Sequence, residues 1–95
     1  MTGGGVDAGL RLGSLCKALG HPARVTIVRF LAGQRAGASC GDIVRQLPLA
    51  QSTVSQHLAV LRAAGFLVLD GIPPHVVYRV DARALEVFKR AVATL

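Results

Sequence analysis

The chain has 95 residues, 52% of them hydrophobic, and 11 Lys and Arg against 5 Asp and Glu give it a formal net charge of +6. This length suits one small domain, two cysteines cannot form a disulfide framework, and no apolar run approaches the ~20 residues of a membrane span. With no signal-peptide pattern, we expect a soluble, cytoplasmic and reduced protein without a membrane partner. Nine of the cations are arginine, which favours a polyanionic partner.

The first third of the chain predicts a short leader and two helices. Residues 1–6 are glycine-rich and are expected to form a flexible leader, so the folded domain covers residues 7–95. A first helix spans residues 7–19. Pro22 suits the first position of a second helix over residues 23–32, which is apolar nearly all round and therefore predicted to be central. The apolar face of the first helix carries Leu12, Leu15, Cys16 and Leu19.

Two further helices follow in close succession. Ser39 and Asp42 have the spacing of a capping box and predict a helix over residues 40–47. Residues 48–50 are a tight connection to a helix over residues 51–64. Two short helices joined by about three residues are typical of a helix-turn-helix.

The second of these helices has two contrasting faces. Its apolar stripe has the i, i+4, i+7 spacing of a buried face and consists of Val54, Leu58 and Leu61. The opposite face has no acidic residue and consists of Ser52, Gln56, Ala59 and Ala63, flanked by Thr53 and Ser55. Short hydroxyl and amide side chains can contact phosphates or base edges, so this pattern predicts a DNA recognition helix.

After Gly65 the periodicity changes to that of strands. Residues 66–69 and 75–80 predict a β-hairpin with a turn over residues 70–74, and Asp81 can cap a last helix over residues 82–95. The order α-α-α-α-β-β-α predicts a winged helix-turn-helix, mainly α with a β-hairpin wing. The terminal helices carry more apolar surface than one small core needs. We therefore expect a homodimer through the first and last helices, with two recognition helices about one DNA turn (~34–36 Å) apart.

Three stretches resemble the ArsR/SmtB family of winged-helix transcriptional regulators: KALGHPARVTIVRFLAG, SCGDIV and LAQSTVSQHLAVLRAAGFLV. The resemblance covers roughly residues 15–80, and the run over residues 51–65 is the most diagnostic. It implies a homodimer formed through the first and last helices. It also implies operator binding by the recognition helix and the wing, commonly as a repressor that an effector releases.

The metal sites that the resemblance implies are incomplete here. Where the family has a Cys-x-Cys pair, this chain has Ser39-Cys40-Gly41, and where an Asp and a His two apart begin the last helix, it has Asp81 and Arg83. A guanidinium cannot ligate zinc or nickel, so we expect no metal cofactor. Two alternatives stay open. A partner protein senses the signal, or a thiol-rich metal or redox site forms from Cys16, Cys40 and possibly His21.

The predicted wing also departs from the family. Its tip reads Ile72-Pro73-Pro74-His75 where Arg or Lys is usual, so we expect less phosphate affinity there, with His75 and Arg79 as the remaining polar contacts. Ala50 replaces the serine that commonly caps the recognition helix, a loss of ~1 kcal/mol.

The chain thus predicts a sequence-specific DNA-binding regulator that acts as a homodimer on a palindromic operator. No carboxylate pair, Ser-His-Asp set or phosphate loop points to an enzyme. His57 and Arg24 are interpreted as structural, and Cys16 as a core or dimer-interface thiol. The residues predicted to read bases or adjacent phosphates are Ser52, Thr53, Ser55 and Gln56, and those predicted to fix position are Gln51, Arg45, Arg62 and Arg79, with His75 on the wing.

Overall fold

The computed structural model describes residues 3–95, with side chains from residue 6 onward. The element order confirms the predicted winged helix-turn-helix, with a two-stranded antiparallel sheet as the wing. In this described part of the chain, no helix is long and apolar enough to cross a membrane. The elements are α1 (Gly3–Leu19), α2 (Pro22–Ala32), α3 (Cys40–Val44), α4 (Gln51–Ala63), β1 (Leu67–Ile72), β2 (His75–Val80) and α5 (Ala82–Ala93).

Several helix boundaries differ from the predicted ones. α1 begins at Gly3, so residues 3–6 of the predicted leader are helical, while residues 1–2 lie outside the described chain. Extending an existing helix costs less than nucleating one, because each added residue also gains a hydrogen bond. α3 ends at Val44 rather than at residue 47, and residues 45–47 continue as tight turns with i to i−3 hydrogen bonds towards Pro48, before which a helical residue is sterically disfavoured. α4 and α5 end at Ala63 and Ala93, slightly before the predicted ends.

The wing hairpin is longer than predicted. β1 continues to Ile72, so the predicted turn over residues 70–74 shrinks to the pair Pro73-Pro74. Gly71 permits this register because its φ is +97° and because a Cβ there would overlap the carbonyl oxygen of His75. The wing therefore projects as a narrow two-stranded ribbon.

A third segment pairs with the base of the wing, and the sequence analysis did not predict it. Ala38 and Tyr78 exchange two backbone hydrogen bonds, of 3.0 and 2.8 Å. Gly37, with φ +80°, lies so close to β2 that a Cβ on it would be 2.8 Å from Arg79 Cγ. The residues between α2 and α3 thus fix where the wing begins.

The core lies where α2, α3, α4 and the start of β1 meet. Phe66 contacts Phe88 edge to face, with ring centroids 5.3 Å apart, and this contact ties α5 to the core. α2 buries one face rather than its whole circumference, since Val25 is exposed. The largest fully buried side chains are Phe66, Ile27, Leu31, Ile43, Leu58, Leu61 and Val54.

A polar contact also anchors α4 from inside the fold. His57 is only 7% exposed, and its Nδ1 accepts a hydrogen bond of 3.0 Å from Nε of Arg24. Nη1 of Arg24 in turn donates to the carbonyl oxygen of Ala18, at 3.2 Å, so one guanidinium links α1, α2 and α4. The His21 ring lies 4.4 Å from the His57 ring, centroid to centroid. The structural interpretation of both His57 and Arg24 is confirmed.

This cluster makes stability depend on pH through His57. Burial, and then the charges of His21 and Arg24, lower the pKa of His57 below its ordinary value of 6.5. The unfolded chain therefore binds more protons than the native one as the pH falls below that value. We expect the free energy of unfolding to be greatest above the pKa that His57 has in the unfolded chain, and to decrease as the pH drops below it. Urea titrations at about pH 7.5 and about pH 5.5 measure this difference.

His57→Gln is the matched control, because a glutamine oxygen can still accept from Arg24 but does not titrate. The titrations should use one protein concentration throughout. Equal losses of stability on acidification in the two proteins would contradict a role for His57.

Candidate nucleic-acid interface

The buried face of α4 determines what its opposite face presents. Val54, His57, Leu58 and Leu61 point into the fold, which fixes the rotation of the helix about its axis. On the outer side, four of the predicted base-reading and positioning residues are exposed, and Thr53 is half-buried. The four exposed residues are Gln51, Ser52, Ser55 and Gln56.

The N-terminal end of α4 is free of side-chain capping. Ala50 occupies the N-cap position in an extended conformation and makes no side-chain cap bond. The first backbone N–H groups of a helix have no intrahelical acceptor, and the positive end of the helix dipole lies there. This end of α4 can therefore donate hydrogen bonds to an anion such as a phosphate oxygen.

Arg45 and Arg62 flank this face in different electrostatic settings. Arg45 directly follows α3 and forms an ion pair of 2.6 Å with Asp42, both side chains being well exposed. Hydrogen bonds with Ser39, and then the interaction with Arg45, lower the pKa of Asp42. The bonds between Ser39 and Asp42 also form the predicted capping box. Arg62, in the last turn of α4, is exposed and has no ion-pair partner in the described part of the chain.

Arg79 is engaged within the wing itself. Its Nε donates to a carboxylate oxygen of Asp70 on the neighbouring strand, and this bond and charge raise the pKa of Arg79. Asp70 was not singled out in the sequence. The register shows why the two meet, since Asp70 lies opposite Val77 and thus shares a face with Arg79 two residues on. His75 is exposed beside the tip.

The residues considered for a thiol or metal site belong to three different helices or helix caps. Cys16 is exposed on α1 next to Leu19, so it is not a core thiol of the single chain, and its predicted place in a dimer interface stays a prediction. Cys40 is half-buried at the start of α3, with its sulfur 3.9 Å from Ser55 Oγ. His21 caps α2, since its Nδ1 accepts from the backbone N–H of Ala23. Among residues 3–95 no three His, Cys, Asp or Glu side chains converge on one point.

Comparisons with known proteins agree with this geometry. A family described as a helix-turn-helix domain matches residues 19–70. The HTH-type transcriptional regulator YgaV of Escherichia coli is 33% identical over 72 residues, which is 76% of this chain and 72% of YgaV.

Two solved structures extend the similarity to the whole fold. An ArsR-like transcriptional regulator from Rhodococcus sp. RHA1 is 25% identical, with a TM-score of 0.76 over 90% of this chain and 78% of that one. The transcriptional repressor BigR from Xylella fastidiosa is 28% identical, with a TM-score of 0.69 over 100% of this chain and 97% of its own. The chain therefore belongs to the ArsR/SmtB family of winged-helix, DNA-binding transcriptional regulators.

Proposed function

We propose that this regulator acts as a homodimer on a short palindromic operator and reads its sequence with the N-terminal half of α4. The observation that carries the proposal is the exposed face of Ser52, Ser55 and Gln56, which holds no carboxylate. Acidic side chains on this face would be repelled by the phosphates that line a DNA groove. A neutral, hydrogen-bonding face can approach base edges closely.

Within this face, Gln56 is best suited to base discrimination. A glutamine amide both donates and accepts, and it can pair with N6 and N7 of adenine in the major groove. Among the described residues Gln56 has no side-chain hydrogen-bond partner, so its amide is available. Ser52, Thr53 and Ser55 supply shorter hydroxyl contacts to bases or adjacent phosphates.

Affinity that does not depend on base sequence comes from contacts to DNA phosphates around this face. The main candidate is Arg62 in the last turn of α4, and Arg45, which directly follows α3, is a second candidate that would share its charge with Asp42. Gln51 at the start of α4 and the free N–H groups there add neutral donors to phosphate. The formal net charge of +6 is favourable to the same partner.

The apolar surface of the terminal helices favours a second copy of this chain. Leu10 on α1 is 67% exposed and Val87 on α5 is 55% exposed, and α1 packs against α5 along one side of the fold. Val6, Val92 and Leu95 are further exposed apolar residues on or next to the same two helices. Pairing this surface across a two-fold axis buries it and sets two α4 helices at a fixed separation.

The first prediction concerns base readout. We expect Gln56→Ala to weaken operator binding by ~1–3 kcal/mol and to relax preference at one base pair in each half-site. The measurement is a fluorescence anisotropy titration on a duplex that the wild-type protein has selected from a random pool. A titration on unselected random duplex serves as the control. Equal weakening on both duplexes would rule out base readout by this residue.

The second prediction concerns phosphate contact. Arg62→Ala should weaken binding to every sequence and reduce the slope of log K against log salt by ~0.9, because one phosphate contact and its released counterions are lost. Arg29→Ala is the matched control, since Arg29 is exposed on α2 outside the proposed surface. If the two variants show the same slope, Arg62 is not a phosphate contact.

The third prediction concerns assembly. Val87→Glu should raise the dimer dissociation constant at least ~10-fold, because it places a charge in the proposed apolar interface. Sedimentation equilibrium over a concentration series measures this constant. Val25→Glu, at an exposed valine on α2, introduces the same charge away from that surface and should leave it unchanged. A wild-type protein that is monomeric at every concentration, or a Val87→Glu variant that dimerises normally, would refute the interface.

A further inference from the structure

The wing of this protein carries no net charge. Among residues 67–80 the formally charged side chains at neutral pH are Asp70 and Arg79, and these two pair with each other. Their side chains are 45% and 41% exposed, so the pair lies at the surface of the hairpin rather than inside it. The charge of the one arginine that the wing could offer to DNA is therefore already balanced by a carboxylate.

The rest of the wing does not compensate for this neutralisation. Ile72, at the end of β1, is 81% exposed, and the two prolines that follow it are exposed as well. Proline has no N–H group to donate to a phosphate. In contrast to the last turn of α4, which carries Arg62, residues 72–75 at the wing tip include no lysine or arginine.

The position of Arg79 limits how it can leave Asp70. The stem of its side chain passes over Gly37, where even a Cβ would lie 2.8 Å from Arg79 Cγ. The start of the side chain is thus held against the backbone between α2 and α3, and only the guanidinium end can exchange partners. Asp81 is also close enough to act on Arg79, but its carboxylate already caps α5 by accepting from Ala84.

We propose that Asp70 withholds Arg79 from the DNA backbone and so limits the sequence-independent affinity of this regulator. The inference rests on the proposed function, because it assumes that the wing lies beside the duplex when α4 occupies the groove. Asp70 binds Nε of Arg79 and leaves its Nη groups without a carboxylate, but the negative charge beside the guanidinium repels an approaching phosphate. Arg79 therefore gives its full charge to a phosphate only when it parts from Asp70. Phosphate contacts carry no sequence information. Without the Arg79 contact, binding to random DNA is weaker, and base contacts supply a larger share of the binding free energy on the operator.

The test is a double-mutant cycle read by salt dependence. Asp70→Asn, Arg79→Gln, the double variant and the wild type are titrated with a random-sequence duplex and with the selected duplex, over a series of salt concentrations. Asp7→Asn is the matched control, because it removes the same charge from an exposed position on α1. Urea titrations of each protein detect any loss of folding.

We expect Asp70→Asn to bind both duplexes more tightly and to steepen the salt slope by ~0.9, the value for one added phosphate contact. Between about 50 and 200 mM salt it should therefore lose about threefold to fourfold more affinity than the wild type does. Arg79→Gln alone should leave the slope unchanged. The double variant should return to the wild-type slope, and Asp7→Asn should not steepen it.

Three results would overturn the inference. Asp70→Asn could show the same slope as Asp7→Asn, which would place Arg79 out of reach of DNA. Arg79→Gln alone could flatten the slope by ~0.9, which would mean that Arg79 contacts phosphate while still paired. Asp70→Asn could also bind more weakly than wild type, which would make the pair purely structural. If any of these results is found while operator binding still depends on Gln56, the inference is refuted and the proposed function stands. If the protein does not bind an operator at all, the proposed function is refuted.

Discussion

The burial of one face of α4 is the constraint on which the rest of this structure depends. Val54, Leu58 and Leu61 are at most 1% exposed, and each is held by side chains from other elements of the core. A helix whose inner stripe is packed to this degree cannot rotate without opening a cavity, which costs several kcal/mol. The outer face of α4 is therefore fixed by the core, although it takes no part in it.

Most arginines on the proposed DNA-binding surface are paired with a carboxylate. Arg45 is paired with Asp42 and Arg79 with Asp70, whereas Arg62 has no such partner in the described chain. Exposed ion pairs contribute little to stability, so these carboxylates matter more for what the arginines can offer a polyanion. In the proposed complex, base recognition would then depend on neutral side chains and on the free N–H groups at the start of α4. This balance suits a protein that must distinguish one DNA sequence from many.

Sequence reasoning succeeded where the determining pattern is local. The apolar spacing of α4, the capping box of Ser39 and the change of period after Gly65 each lie within a few residues, and each was confirmed. The pairing of Ala38 with Tyr78 was missed, because it joins residues far apart in the chain. The Asp70–Arg79 pair was missed for a related reason, since it follows from a hairpin register that the predicted turn misplaced. Residue types thus indicated candidate residues, whereas strand pairing and register decide which arginine meets a carboxylate.

The last helix links stability to recognition. α5 has no buried residue within the single chain, although Leu85 and Phe88 pack partly against the core and Phe88 meets Phe66. A domain of 95 residues buries too little surface to leave such a helix half covered without loss. In the proposed homodimer, covering the outer side of α5 stabilises each subunit and at the same time sets the distance between the two α4 helices. Folding of the terminal helices and spacing of the operator half-sites would then follow from one and the same burial of apolar surface.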